Sequence, residues 1–279
     1  MKTRIISALV GIVLLIIVLN FFQTVVLNVA IMLIILIAML EFLAATHINH
    51  NKLLSVVALC VSAAFPYIKL QEEMDLLPLF LLPYIGLLFL ILLRTHQDTR
   101  VEDIALTFMM SIGIPLSLSS AIYLRDNNGQ AFGLYYLLLA LCCAWFSDTG
   151  AYFAGRAFGK HKMSPLISPH KTVEGLIGGL ITCVVLNMLA AYGFERGCAQ
   201  LGFAVQVDHF RLFFISLLGS LISVLGDLSF SMIKRQFSIK DFGNIMPGHG
   251  GVLDRFDSVL FTLPFIYATS IYFPVCALA

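Results

Sequence analysis

Apolar residues run along the chain in long stretches that short polar connections separate. A helix that crosses a membrane needs about 20 predominantly apolar residues. Nine stretches come close to this length, and we number them as predicted spans 1 to 9. They cover residues 5–22, 24–46, 53–70, 76–94, 104–124, 133–155, 172–194, 211–233 and 257–277. The pattern predicts an all-α integral membrane protein with about nine transmembrane helices, a count that depends most on the very short connection between spans 1 and 2.

Composition supports this class. The 279 residues are 59% hydrophobic and only 12% charged, whereas soluble domains carry about 25% charged residues. The net charge of +1 argues against a nucleic-acid partner. The six cysteines fall mostly inside apolar runs without C-x-x-C spacing, which is typical of small core residues.

The distribution of Lys and Arg predicts the orientation in the membrane. With the nine spans above, thirteen of these residues fall on the side of the N-terminus and four on the other side. Because cytoplasmic connections are enriched in Lys and Arg, the N-terminus and every even-numbered connection are expected in the cytoplasm. The C-terminus is then expected outside.

Polar residues concentrate in the second half of the chain, from Ser147 onward. We therefore predict an N-terminal transmembrane scaffold over 1–130 and a C-terminal catalytic part over 131–279 within one membrane domain. The run Asp227–Asp257 carries four acidic and four basic residues around the loop Pro247–Gly251, which has three glycines. This combination suits phosphates and a divalent cation.

Span 6 ends in Ser147 and Asp148. A carboxylate in an apolar span is a functional candidate by default, and the alternative is a residue at the interface that caps a helix. The following segment 155–160 resembles a P-loop, but its spacing is one residue short and no Ser or Thr follows Lys160. Its basic residues would bind anionic headgroups or a triphosphate, or they are ordinary cytoplasmic charge.

Lys171 and Glu174 are expected one turn apart at the start of span 7, where a helix N-terminus attracts anions. Gly175 and Gly179 form a small-xxx-small pattern, which favours close helix packing over chemistry.

In span 8, Asp227, Ser231 and Lys234 are spaced to share one helix face. Asp254 and Asp257 likewise share a face where span 9 opens. Carboxylates at helix ends suit Mg²⁺, which takes oxygen ligands together with substrate phosphates. The alternative is a structural network in which Arg255 or Lys240 pairs with these carboxylates. His249 could act as an acid or base, but its glycine neighbours favour donation to a phosphate oxygen.

These residues resemble the signature of the phosphatidate cytidylyltransferases, which are membrane-bound CDP-diacylglycerol synthases. The matching elements are Ser231, Lys234-Arg235, Lys240-Asp241, Gly243, Pro247-Gly248-His249-Gly250-Gly251 and Asp254-Arg255-Phe256-Asp257. The upstream patterns S-D-x-x-A-Y, F-G-K-H-K, S-P-x-K-T and E-G-x-x-G-G match between Ser147 and Gly179. Phe230 and His170 depart from the Glu and Lys that many members carry at these positions.

The resemblance implies that CTP and phosphatidic acid give CDP-diacylglycerol and pyrophosphate, in the cytoplasmic (inner) membrane of a bacterium. It implies Mg²⁺ on Asp227 and Asp254, with Asp257 and Asp148 near it or on a second cation. Lys234 completes the catalytic set. The substrate-binding residues would be Ser147, Lys171, Glu174, Ser231, Arg235, Lys240, Asp241, His249, Gly250, Gly251 and Arg255.

Three points stay open at this stage. A homodimer is neither required nor excluded. A lipid kinase would handle the same kinds of substrate, and labelled CTP separates it from a cytidylyltransferase. A lipid transporter would show polar residues near the membrane midplane and internal repeats, and neither pattern is visible in the sequence.

Overall fold

The computed structural model describes residues 2–68, 77–246, 248 and 250–278. Within these residues the protein is predominantly helical. The helices are α1 (Lys2–Asn20), α2 (Val25–Ala45), α3 (Lys52–Ala64), α4 (Leu77–Arg94), α5 (Val101–Phe158), α6 (Val173–Gln200), α7 (His209–Gln236), α8 (Leu253–Phe256) and α9 (Val259–Tyr272). Two 3₁₀ turns, Ile48–His50 and Phe65–Tyr67, flank α3. Four short strands are β1 (Lys162–Ser164), β2 (Ser168–Thr172), β3 (Val205–Val207) and β4 (Cys276–Leu278).

The chain divides into two compact units, and each combines two separate stretches of sequence. The first unit contains Met1–Tyr123 and Phe237–Arg255, and the second contains Leu124–Gln236 and Phe256–Ala279. The segment 237–255 therefore packs with the N-terminal helices, although its sequence was grouped above with the catalytic part. The assignment of scaffold and catalytic roles to 1–130 and 131–279 stays a prediction.

In the first unit, α2 packs against α1 and α3. The α1–α2 connection is a turn that ends at Thr24, whose side chain accepts a hydrogen bond from the Val26 amide at 3.2 Å and caps α2. Asn51 caps α3 in the same way and also donates to Thr95 and Thr99 at 3.0 and 2.9 Å. Spans 1 and 2 are thus separate helices despite their short connection.

In the second unit, α7 packs against both α6 and α9. Small residues bring α6 close to the C-terminal part of α5. A methyl group added at Gly179 would lie 2.7 Å from the Ser147 carbonyl, and one added at Gly175 would lie 2.9 Å from the Ala151 carbonyl. The interpretation of these two glycines as helix-packing positions is confirmed.

Five helical segments of the described residues are long and apolar enough to cross a membrane. They are Val25–Ala45, Val101–Gly129, Phe132–Phe158, Val173–Gln200 and His209–Gln236. Four shorter apolar helices cover Leu9–Asn20, Lys52–Tyr67, Pro78–Arg94 and Val259–Tyr272. The protein is thus a multi-pass membrane protein, and the count of nine spans stays a prediction.

Two boundaries differ from the sequence interpretation. The expected connection between spans 5 and 6 is mostly helical, because the only non-helical backbone there lies at Gly129, with φ 70° and ψ −177°. The last span ends early, since α9 stops at Tyr272 and β4 pairs with β3 in antiparallel register. The Tyr136 hydroxyl accepts a hydrogen bond from the Val275 amide at 2.9 Å and holds this end in place.

Candidate active site

Three carboxylates of the second unit interact with one another. Asp148 lies on α5, Asp227 on α7, and Asp257 in the turn that precedes α9. The charges of Asp227 and Asp257 repel the charge of Asp148, and Lys171 offsets part of this repulsion. The Ser258 hydroxyl donates to Asp148 Oδ2 at 3.5 Å. Within the second unit, Asp148, Asp227 and Asp257 therefore belong to one charged cluster.

Two lysines offset part of the negative charge of this cluster. Lys171, at the end of β2, forms an ion pair with Asp227 Oδ2. Lys234 Nζ lies 3.8 Å from Asp257 Oδ2, and the lysine is only 8% exposed. Ser231 donates to Asp227 Oδ1 at 3.1 Å, which confirms that these two residues share a face of α7.

Glu174 binds the loop before the β1–β2 hairpin. Its carboxylate accepts from the amides of Lys160 and His161 at 3.1 and 3.2 Å, and His161 Nδ1 lies 2.6 Å from Oε1. Thr172 caps α6 by accepting from the Gly175 amide at 3.1 Å. Lys171 therefore belongs to the strand and not to the helix, and Glu174 acts on the backbone of a basic loop.

Other predicted residues occupy different environments. Ser147 is 1% exposed and accepts a hydrogen bond from the Ser220 hydroxyl at 2.8 Å, between packed helices. Arg235 Nε donates to the Ile167 carbonyl at 3.2 Å. Lys240 and Arg255, in the first unit, are exposed. His249 lies outside the described residues.

The glycine loop belongs to the first unit and is built around Asp254. Asp254 Oδ2 accepts from the Phe242 amide at 2.8 Å and from the Gly251 amide at 3.1 Å. At Gly250, where φ is 86°, an added methyl group would lie 3.3 Å from both Asp241 Oδ1 and Asp254 Oδ2. The structure thus places Asp241, Gly250, Gly251 and Asp254 together.

A fifth residue of this loop environment was missed by the sequence analysis. Glu41 of α2 is 5% exposed, and its two oxygens accept from the amides of Val252 and Leu253 at 3.0 and 2.9 Å. The available signal was a single carboxylate within the apolar run of span 2, which marks a functional candidate in a membrane helix.

Within the described residues, no group of three His, Cys, Asp or Glu side chains is spaced to hold a metal ion. Mg²⁺ is usually held by one or two carboxylates together with substrate phosphates and water, so the protein alone need not supply three ligands. The residues available for this purpose in the second unit are Asp148, Asp227 and Asp257.

Comparison with known proteins identifies the family. Residues 2–273 match the cytidylyltransferase family. The chain belongs to this family. The chain is 33% identical over 238 residues to a protein named phosphatidate cytidylyltransferase from Staphylococcus saprophyticus. The alignment covers 83% of this chain and 85% of that protein.

Two further relatives carry the same name. A Bacillus subtilis (strain 168) protein is 40% identical over 160 residues, 57% of this chain and 56% of that protein. A Staphylococcus aureus (strain COL) protein is 44% identical over 134 residues, 48% of each chain. In these two alignments the chain spans about half the length of the relative.

Proposed function

We propose that this cytidylyltransferase is a phosphatidate cytidylyltransferase, which converts CTP and phosphatidic acid to CDP-diacylglycerol and pyrophosphate. The observation that carries the proposal is a cluster of three carboxylates and two lysines, Asp148, Asp227, Asp257, Lys171 and Lys234, in a family member built of apolar helices. Apolar helices suit the diacyl chains, whereas the charged cluster suits phosphates.

The reaction is a nucleotidyl transfer. An oxygen of the lipid phosphate attacks the α-phosphorus of CTP, and a new P–O bond forms as the bond from the α-phosphorus to the oxygen bridging to the β-phosphorus breaks. Pyrophosphate leaves with the bonding electrons. The attacking phosphate is already ionised, so no general base is required. Catalysis is then mostly positioning and neutralisation of charge.

The chain's own residues can supply that neutralisation. Lys171 and Lys234 bind phosphate oxygens while remaining close to Asp227 and Asp257. Ser231 orients Asp227 through its hydrogen bond. Glu174 holds the Lys160–His161 backbone, so that the basic loop keeps one conformation for the nucleotide phosphates. Arg235, Lys240, Arg255 and His249 stay predicted phosphate-binding residues.

The carboxylate set fits Mg²⁺. The ligands are hard oxygens, and a divalent cation would relieve the repulsion of Asp148 by Asp227 and Asp257. When bound, Mg²⁺ contacts phosphate oxygens and neutralises part of their charge. Asp254 as a metal ligand, and a second cation, stay predictions from the resemblance. Chelation with EDTA should stop turnover, and added Mg²⁺ should restore it.

We place the protein in the bacterial cell membrane with nine spans, the N-terminus in the cytoplasm and the C-terminus outside. The excess of Lys and Arg on the N-terminal side supports this orientation. A cytoplasmic active site also follows from the chemistry, since CTP is soluble there and phosphatidate stays in the bilayer. Cysteine accessibility at the two termini tests the topology, and light scattering in detergent tests for a homodimer.

The activity is tested with purified protein, CTP and phosphatidate in mixed micelles. Mass spectrometry should find the lipid increased by one cytidylyl group, with one pyrophosphate released for each product molecule. An Asp227→Asn variant provides the control and should form no product. A lipid that gains only a phosphoryl group would identify a kinase and overturn the proposal.

A further inference from the structure

Glu41 is the only charged residue of α2, in a helix with a mean hydropathy of 2.7. We propose that Glu41 is a positioning residue for the reaction. Its carboxylate fixes the backbone of residues 250–253 and thereby orients Asp254. The role of Glu41 in the reaction rests on the proposed function. The contacts of Glu41 with the loop do not, because they are observed within the first unit.

The contact between Glu41 and the loop is bidentate. One carboxylate oxygen accepts from the Val252 amide at 3.0 Å and the other from the Leu253 amide at 2.9 Å. Glu41, Val252 and Leu253 are all buried. Hydrogen bonds from backbone N–H groups to an ionised carboxylate are stronger than those between neutral groups. Glu41 therefore fixes both the position and the direction of two consecutive peptide groups.

Two glycines leave room for this carboxylate. A methyl group added at Gly243 would collide with Glu41 Oε1, and one added at Gly251 would lie 2.5 Å from Oε2. Real Cβ atoms essentially never approach another heavy atom as closely as these two would approach the Glu41 oxygens. These are the last glycines of the K-D-x-G and P-G-H-G-G patterns. A side chain at either position would therefore displace the Glu41 carboxylate.

Asp254 holds the same loop from its other side. Its Oδ2 accepts from the amides of Phe242 and Gly251, so Gly251 lies between the two carboxylates. The ring of Phe42, next to Glu41, also contacts the ring of Phe242 with centroids 6.3 Å apart. A shift of the Glu41 carboxylate would therefore move the amides that fix the Asp254 carboxylate.

A purely structural acid would stabilise the fold without affecting turnover in the folded protein. Glu41→Gln distinguishes the two roles, because an amide keeps the size but places an NH₂ group against a backbone N–H. Tyr84→Phe is the matched control. It removes the buried 2.5 Å hydrogen bond between Tyr84 and Ser111 in the same unit, away from the loop.

The experiment measures kcat at saturating CTP and phosphatidate, the thermal midpoint, and deuterium uptake of peptides covering 242–254. We expect Glu41→Gln to lower kcat roughly 10- to 100-fold, the scale of misplaced catalytic groups. Deuterium uptake by the loop should rise. Tyr84→Phe should lower the thermal midpoint without either effect.

Unchanged kcat or unchanged loop uptake in folded Glu41→Gln would overturn the proposal. If Glu41→Gln does not fold, Gly251→Ala takes its place, because the added methyl group displaces the Glu41 carboxylate from the loop side. Deuterium uptake of peptides covering 242–254 should then rise in Gly251→Ala, and unchanged uptake would overturn the proposal. Deuterium uptake does not depend on turnover, so it still tests the loop if the wild-type chain makes no CDP-diacylglycerol. That last result would refute the proposed function alone.

Discussion

The packing of α6 against α5 offers a sharp test because one helix contains both a crowded and an open glycine. A methyl group added at Gly178 would collide with the Ala154 side chain and lie 3.4 Å from the Gly150 carbonyl. A methyl group added at Gly193, on the same helix, would meet nothing within 4 Å. Gly178→Ala and Gly193→Ala are therefore the same chemical change in two environments.

The expected difference follows from this comparison. Both variants gain about 1 kcal/mol of helix propensity, since Ala is the better helix former. Only Gly178→Ala also pushes two backbones apart, which typically costs about 1–3 kcal/mol. Because both variants have the same gain in helix propensity, their free energies of unfolding should differ by about 1–3 kcal/mol, the packing cost of Gly178→Ala. On the scale of soluble domains, each kcal/mol corresponds to about 2–4 °C in thermal midpoint.

The assay is thermal unfolding of the purified variants in one detergent, followed by cytidylyl transfer below the midpoint. Gly178→Ala should unfold at a lower temperature than Gly193→Ala. It should also lose more activity, because α6 carries Glu174 and follows Lys171. Equal midpoints in the two variants would refute the close packing that the structure assigns to Gly178.

Three further predictions concern single side chains. Lys171→Gln should lower kcat/KM for CTP roughly 100-fold, the scale of one lost electrostatic contact to a transition state. Lys162 of the same hairpin is exposed, so Lys162→Gln should leave kcat/KM for CTP unchanged. Equal losses in the two variants, measured by steady-state kinetics, would contradict the assignment of Lys171 to the phosphates of CTP. Asp254→Asn should abolish transfer at any Mg²⁺ concentration while the thermal midpoint shows a folded protein; near-normal turnover would overturn its role. Burial, with smaller contributions from Cys198 and Glu195, raises the pKa of Cys276 to about 12. Its thiol therefore stays protonated at pH 8, and iodoacetamide labelling measured by mass spectrometry should still be rising steeply at pH 10; a plateau near pH 9 would contradict the burial.

Helical periodicity was enough to predict the local part of the site. The spacing of Asp227 and Ser231 predicted a shared face, and their 3.1 Å hydrogen bond confirms it. Lys171 and Asp227 form an ion pair, and the action of Asp148, Lys171 and Asp227 in one site stays a prediction. The shared face could be predicted because Asp227 and Ser231 lie on one helix, where sequence spacing determines direction.

Contacts between distant segments could not be predicted in this way. Glu41 binds amides 211 and 212 positions later in the chain, and helical spacing carries no information about such a contact. The pairing of β3 with β4 was missed because three-residue strands are too short to show alternation. Glu174 is a predicted substrate-binding residue, and its observed hydrogen bonds go to the backbone of Lys160 and His161 and to the His161 ring.

The most direct measurement follows two labels of CTP in one reaction with phosphatidate, one in the cytidine and one in the γ-phosphate. We expect the cytidine label to enter the lipid, the γ-phosphate label to leave as pyrophosphate, and Asp227→Asn to prevent both. Transfer of the γ-phosphate label to the lipid, with the cytidine label left in CDP, would contradict this expectation.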